Sequence, residues 1–202
     1  VTGASTLSAP GTINLSNAII LGAGLTTAST GALTLSGLLT GSSGLTKTGS
    51  GSLTLSGANT GYSGATALSA GTLLVTNNNS LGSGALNTAA GTSLDSTANV
   101  TLANNIGMTG ALNVLGSNAL TLAGVLSGTG SITKNGTASL TLTGNNTNSG
   151  NTILNGGSLF VGSNTALGTG ALSAGTGTTL DATTAVTLAN AIGLAANLAI
   201  GG

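Results

Sequence analysis

Hydrophobic and polar residues alternate over short stretches along the whole chain. Residues 53–55, 100–102 and 140–142 each place two aliphatic side chains on one side of an extended segment and a threonine on the other. Threonine and valine favour the half-buried surface of a sheet. Glycine or asparagine interrupts every run that would be long enough for a helix. The pattern therefore predicts short β-strands separated by tight corners.

The spacing of the strands predicts an all-β, parallel β-solenoid. Strand centres recur at intervals of 18 to 21 residues, at Leu53, Leu73, Leu94, Leu112 and Ile132. This spacing indicates coils of about 20 residues with glycine and asparagine corners. At about 4.8 Å per coil, some ten coils would form a rod of roughly 45–50 Å.

The chain also repeats itself over a longer period. A motif at residues 44–75 (the first copy) returns at residues 131–161 (the second copy), and LGSGAL at 81–86 returns as LGTGAL at 167–172. A period of 86 to 87 residues divides residues 1–202 into a partial unit (1–43), a full unit (44–130) and a second partial unit (131–202). We expect these units to form a single solenoid.

The alternation predicts which side chains fill the interior. The inward rows are expected to consist of eleven aliphatic residues: Leu53, Leu55, Leu73, Val75, Leu94, Leu102, Leu120, Leu122, Leu140, Leu142 and Leu159. Asparagines recur at equivalent corners, where each amide could bond to the next coil. Two asparagine ladders are therefore predicted, pairing Asn59 with Asn146 and Asn104 with Asn190.

Charged residues are almost absent, which limits the possible chemistry. Lys47, Lys134, Asp95 and Asp181 are the only charged residues, and the chain has no histidine or cysteine. Four coils, or about 19 Å, would separate the two aspartates, so they cannot act as a catalytic pair. We interpret the aspartates as strand-end residues and the lysines as solvated strand ends. We expect neither catalysis nor a metal, cofactor, small-molecule substrate or nucleic-acid partner.

Two other interpretations of the pattern are less favoured. Residues 185–202 are apolar enough to suggest a membrane helix, but their threonine, asparagines and glycines favour strands. Threonine arrays on a flat solenoid face would suit ice binding, but Thr46/Thr48 and Thr141/Thr143 recur at different places in their units. We therefore interpret both regions as ordinary solenoid.

The first copy resembles the passenger-associated transport repeat of bacterial autotransporters. The resemblance rests on leucine-threonine-lysine at 45–47, leucine-threonine-leucine at 53–55, the segment 57–62 that ends in tyrosine, and glycine-threonine-leucine at 71–73. The first copy has an inserted Gly61, and the second copy has Asn148 and Ser149 where the tyrosine is expected. The resemblance implies a right-handed β-helix in a passenger domain that is extracellular and displayed at the bacterial outer membrane.

These observations predict a structural or adhesive stalk segment of a secreted or surface-displayed protein. Its expected partners are further repeats of the same chain, other copies of itself, and a host or neighbouring-cell surface. The alternative is a self-assembling extracellular fibre, because open strand edges recruit further strands. A carbohydrate-binding β-helix is a third interpretation, and it lacks the aromatic platforms and carboxylates that such sites use.

Overall fold

A computed structural model describes residues 3–195 and 198–201 as a stack of short parallel strands. Each coil of the stack turns through three faces, and each strand pairs with the strand one coil away. Face 2 contains ten strands in sequence order, so the solenoid has ten coils. The expectation of an all-β solenoid with coils of about 20 residues is therefore confirmed.

The three faces are made of strands of two to five residues. Face 1 consists of β1 Ser5–Leu7, β4 Leu25–Ala28, β7 Leu45–Thr48, β9 Thr66–Leu68, β11 Leu86–Thr88, β14 Ile106–Met108 and β17 Leu126–Gly128. Face 2 consists of β2 Ile13–Leu15, β5 Ala32–Leu35, β8 Ser52–Leu55, β10 Thr72–Val75, β12 Thr92–Ser96, β15 Leu112–Val114, β18 Ile132–Lys134, β20 Thr152–Leu154, β22 Leu172–Ala174 and β24 Ile192–Leu194. Face 3 begins with β3 Ile19–Leu21 and β6 Leu39–Gly41, and resumes with β13 Val100–Leu102, β16 Leu120–Leu122, β19 Leu140–Leu142, β21 Ser158–Val161, β23 Thr179–Ala182 and β25 Ala199–Ile200.

The stacking on face 2 corrects two predicted strand centres. Leu53, Leu73 and Leu94 lie in one column, as predicted, but Leu94 pairs with Val114 rather than with Leu112. Leu112 pairs with Thr92 and with Ile132, so both predicted centres belong to a neighbouring column. The sequence offers aliphatic residues at both 112 and 114, and only the backbone register distinguishes them. The steps along the true column are 20 or 21 residues throughout.

The core is a narrow column of aliphatic side chains inside the coils. All eleven residues of the predicted interior are buried, with at most 2% of any side chain exposed. Burial alternates along each strand, as at Leu53, Thr54 and Leu55, where the threonine between the buried leucines is half-exposed. Burying an aliphatic side chain of this size contributes about 1.5–3 kcal/mol. Leucine stacked on leucine is thus the main apolar contribution to stability.

The long period does not match a whole number of coils, so each motif copy is rotated relative to the last. From Lys47 on face 1, pairing leads through Leu68, Thr88 and Met108 to Gly128, which is four coils away on the same face. Lys134 lies six residues further, on face 2. Each unit therefore advances by about four and a third coils, or one face of the solenoid.

This rotation also moves the irregular part of each motif copy. In the first copy, residues 56–65 cross face 3 between β8 and β9, and in the second copy residues 143–151 cross face 1 between β19 and β20. These segments occupy positions where regular strands lie in other coils. The sheet of face 2 continues through both motif copies without interruption. It therefore runs along the whole described rod.

The apolar C-terminal segment contains strands, as expected. Residues 185–202 include β24 and β25, while residues 196, 197 and 202 lie outside the described part of the chain. Among the described residues, no helix is long and apolar enough to cross a membrane.

Candidate functional site

The most unusual side chain of the first copy is the buried Lys47. It follows Leu45 by two positions in β7, so its side chain points inward with that of the leucine, and it is fully buried. Its Nζ donates hydrogen bonds to the carbonyl oxygens of Thr48 (2.7 Å), Gly49 (2.7 Å) and Ala70 (3.3 Å). The ammonium therefore satisfies three carbonyls at the corner between faces 1 and 2.

Lys134 repeats this arrangement at the corner between faces 2 and 3. Its Nζ is fully buried and donates to the carbonyl oxygens of Asn135, Gly136 (3.0 Å) and Gly156 (3.2 Å). The corner glycines Gly49 and Gly136 have positive φ angles of 76° and 64°, a conformation that other residues rarely adopt. The corner at each of these glycines directs backbone carbonyls toward the interior. Only a buried donor can bond to them there.

Both lysines differ from the prediction, which interpreted them as solvated strand ends. The prediction was wrong because it weighed the usual exposure of lysine above the alternation of the strand. Burial lowers the pKa of the Lys47 ammonium below its ordinary value. Burial also lowers the pKa of Lys134, and the charge of Asp95 partly opposes that effect.

Asn59 and Asn146 each connect three successive coils through backbone hydrogen bonds. Asn59 Oδ1 accepts from Leu39 N (2.8 Å), and its Nδ2 donates to Ser80 O (2.7 Å). Asn146 makes the same pair of bonds, with Leu126 N (2.8 Å) and Ala166 O (2.6 Å). Both side chains are buried. Each amide thus serves as a clamp between the coil before it and the coil after it.

The predicted ladder between Asn59 and Asn146 does not form, because the rotation of the unit places them on different faces and several coils apart. The same reason separates Asn104 from Asn190. These two amides bond to backbone carbonyls of the preceding coil instead. Asn104 Nδ2 donates to Gly82 O (3.0 Å) and Gly84 O (2.7 Å), and Asn190 Nδ2 donates to Gly168 O (3.1 Å) and Gly170 O (2.6 Å).

Tyr62 fills the remaining corner of the first copy. Its ring is fully buried, its hydroxyl oxygen accepts from Leu45 N (3.0 Å), and the hydroxyl donates to Ala65 O (2.9 Å). Burial raises the pKa of this phenol. Lys47, Asn59 and Tyr62 thus satisfy backbone groups at different corners of the first copy.

A protein-family model described as the passenger-associated-transport-repeat matches residues 45–75 and residues 132–161. The matched segments contain both lysine corners and both asparagine clamps. Two segments of the chain, together about a third of its length, are thus similar to this repeat. With the β-solenoid, they support a β-helical segment of the autotransporter passenger type. No curated protein and no solved structure matches the chain.

The geometry explains what the lysine and the asparagine do in both copies and what Tyr62 does in the first. Each residue supplies a buried polar group that bonds to the backbone where a regular strand or ladder is interrupted. A signal for the buried lysine was present in the sequence: Lys47 and Leu45 have the same parity in the alternation, as do Lys134 and Ile132. The role of Tyr62 had no such signal, because its bonds depend on the path of a loop.

The two aspartates lie far apart in the same solenoid. Asp95 is in β12 on face 2 and Asp181 is in β23 on face 3, four coils further along the axis. At about 4.8 Å per coil the axial separation is about 19 Å, too far for a shared reaction. Asp95 accepts hydrogen bonds from Ser117 N (3.1 Å) and Ser117 Oγ (2.5 Å). Among the described residues, no group of three histidine, cysteine or acidic side chains could hold a metal ion.

The outer surface of this passenger-type segment is almost uncharged. Three of the four charged side chains, Lys47, Lys134 and Asp95, are buried, and Asp181 is partly exposed. Exposed or half-exposed threonines occupy the outward positions of many strands, as in the stacked column Thr101, Thr121 and Thr141 on face 3. The surface therefore presents neutral hydrogen-bonding groups.

Proposed function

We propose that the chain is a rigid spacer in an autotransporter passenger, displayed outside the bacterial cell. The observation that carries this proposal is the ten-stranded face 2, which continues through both transport repeats. Ten coils at about 4.8 Å give a rod of roughly 48 Å. Each coil supports its neighbours, so added units lengthen the rod without a new core. Such a segment would hold an adhesive or enzymatic region away from the cell.

The role we propose is structural and adhesive rather than catalytic. The two aspartate carboxylates lie four coils apart. The lysine ammonium groups donate their hydrogen bonds to backbone carbonyls. These contacts support a role in holding coils together instead of acting on a substrate. The similarity to the repeat family supports an extracellular location at the outer membrane.

The partners we propose are further coils of the same chain and other copies of the rod. The nearly uncharged surface supports this choice, since rods without like charges repel one another only weakly. Contacts between outward threonine rows would then consist of neutral hydrogen bonds and apolar packing. Nucleic acids are poor partners for this surface because they are bound chiefly through lysine and arginine. A host or neighbouring-cell surface would have to be recognised through neutral groups as well.

A self-assembling fibre is the second candidate, and the stacking of the coils favours it, because parallel strand ladders can be extended by further strands. In the last coil described, Ile192, Leu194 and Ile200 are exposed, with 43%, 57% and 70% of their surfaces accessible. Either a further coil of the same protein or a second copy could bury these side chains.

Negative-stain electron microscopy of the purified protein over a concentration series tests both candidates. Discrete rods about 50 Å long at every concentration support the spacer. Long filaments of uniform width that grow with concentration support the fibre instead. An Ile200→Asp variant is the matched control, because it places a charge on the exposed coil and should abolish filaments while leaving single rods intact.

The same samples at low and high salt test the neutral surface. Side-by-side clusters that persist equally from about 0.05 to 1 M NaCl agree with neutral contacts. Clusters that dissolve in salt would contradict them. Globular or unfolded particles at all conditions would contradict the spacer itself.

A further inference from the structure

The two transport repeats differ at one buried corner, where Tyr62 in the first copy corresponds to Asn148 in the second. The correspondence is visible in the backbone: Ser83 N donates to Tyr62 O and Thr169 N donates to Asn148 O, each at 2.9 Å. Both side chains are buried, with 0% and 1% exposed. The second copy therefore places a small amide where the first copy places a phenol ring.

In the first copy the phenol bonds to two backbone groups of this corner, Leu45 N and Ala65 O. Ala65 O accepts both from Leu45 N (3.0 Å) and from the Tyr62 hydroxyl (2.9 Å), so both of its lone pairs are used. The same hydroxyl oxygen accepts from Leu45 N (3.0 Å). One hydroxyl thus bridges two backbone groups of adjacent coils.

The corresponding groups of the second copy can accept further hydrogen bonds. Asn151 O, the counterpart of Ala65 O, accepts from Ile132 N (3.0 Å). Asn148 Nδ2 donates to Gly150 O (3.2 Å), but Asn148 Oδ1 accepts no hydrogen bond from any residue that the structure describes. Thr152 Oγ1 is also unpaired within the described part of the chain, as is its first-copy counterpart Thr66 Oγ1, and the Thr152 side chain is 1% exposed. The unpaired amide oxygen of Asn148 therefore distinguishes the second copy.

We infer that this corner of the second copy binds one buried water molecule in the place of the Tyr62 hydroxyl. The water would donate to Asn148 Oδ1 and to the second lone pair of Asn151 O, and it would accept from the Thr152 hydroxyl. Buried waters typically make about three hydrogen bonds to groups that would otherwise be unsatisfied. Leaving the buried Asn148 Oδ1 unpaired is costly, and a water in the space that the phenol fills in the first copy would bond to it.

The alternative occupant of the space is a neighbouring apolar side chain. Gly128 lies one coil below Asn148 and Gly168 one coil above, so neither adjacent coil contributes a large side chain at this position. The ligand that fits two free oxygens and a carbonyl is small and can both donate and accept. Water has that chemistry.

Replacing Thr152 with valine tests the inference, because valine keeps the shape and removes only the hydroxyl. With a bound water, Thr152→Val removes one of its partners, and the thermal midpoint should fall by about 2–4 °C. Without a water, the same change removes an unpaired buried hydroxyl, and the midpoint should stay level or rise. A level or raised midpoint would overturn the inference.

Thr66→Val is the matched control, since Thr66 holds the equivalent position in the first copy, where Tyr62 fills the corner. We expect its midpoint to be unchanged or raised. An equal fall in both variants would mean that valine is unfavourable at this position in general, which also overturns the inference. A crystal structure of the wild-type protein gives the direct test: density for one water within hydrogen-bonding distance of Asn148 Oδ1 and Thr152 Oγ1 supports the inference. A direct bond between those two atoms overturns it.

Discussion

Lys47 and Lys134 hold the same position in successive transport repeats but lie on different faces of the solenoid. Lys47 is in β7 on face 1 and Lys134 is in β18 on face 2, 87 residues further along the chain. Because a coil takes about 20 residues, a repeat unit of 86 to 87 residues is longer than four coils by about one face. A longer array would therefore present the motif on each face in turn and return to the first face after about thirteen coils.

This screw arrangement distributes the interruptions that each repeat introduces. The first copy interrupts the strands of face 3 and the second copy those of face 1, while face 2 remains continuous. If successive units advanced by a whole number of coils, the interruptions would accumulate on one face and weaken it. The rotation keeps at least one full sheet beside each corner, which suits a rod that must remain straight.

The lysine caps should be essential to the stability of their corners. Lys47→Met and Lys134→Met each leave three carbonyls without the donor they now have. We expect each substitution to lower the free energy of unfolding by about 3 kcal/mol. Urea unfolding followed by circular dichroism measures the change. Thr46→Met, at the half-exposed neighbouring position, is the control and should change stability by less than about 0.5 kcal/mol.

The buried lysines should also make the stability depend on pH. Burial lowers the pKa of each ammonium in the folded protein below the ordinary value near 10.5. Between the folded and unfolded pKa values the unfolded chain binds more protons, so the free energy of unfolding rises with pH. Below the folded pKa both states are protonated and the dependence disappears.

Thermal unfolding from about pH 8 to 10.5 measures this rise as the difference in thermal midpoint between the wild type and the double variant Lys47→Met/Lys134→Met, since Tyr62 titrates in both. The difference should shift in favour of the wild type as the pH rises. A difference that stays constant or shifts the other way would show that burial does not dominate the titration of the lysines.

A charge placed in the leucine column should disrupt several coils. Leu55 is fully buried and stacks between Leu35 and Val75. Leu55→Asp introduces a carboxylate with no partner, and we expect a loss of about 4 kcal/mol in the free energy of unfolding. Thr54→Asp places the same group at the adjacent half-exposed position and should cost much less. Similar losses for both variants, measured by urea unfolding, would contradict the inward orientation of Leu55.

The buried asparagine clamps should contribute more to the free energy of unfolding than asparagines on the surface do. Asn59→Ala removes one acceptor and one donor that are both buried, and leaves Leu39 N and Ser80 O unpaired. We expect a loss of about 2–3 kcal/mol, and the same loss for Asn146→Ala. Asn87→Ala, at an exposed position, is the comparison and should be nearly neutral. Equal thermal midpoints for Asn59→Ala and Asn87→Ala would exclude a clamp.

Some features of the protein follow from its sequence because they depend on local alternation and on self-similarity. Leu53, Thr54 and Leu55 indicate a strand with a buried side, and the spacing of such strands predicts the coil. The repeat motif can likewise be recognised from its residues alone. Even the inward orientation of Lys47 can be derived from its parity with Leu45, provided that the alternation is weighed above the usual exposure of lysine.

Other features required the tertiary structure, because they depend on which backbone groups meet across coils. The choice of Val114 over Leu112 as the partner of Leu94 depends on register, and both residues satisfy the alternation. The partners of Asn59, Lys134 and Tyr62 are carbonyls and amides of neighbouring coils, whose positions depend on where each corner turns. The rotation of the unit by one face has the same origin. It arises from the difference between a period of 86 to 87 residues and the number of residues that the folded backbone needs to close each coil.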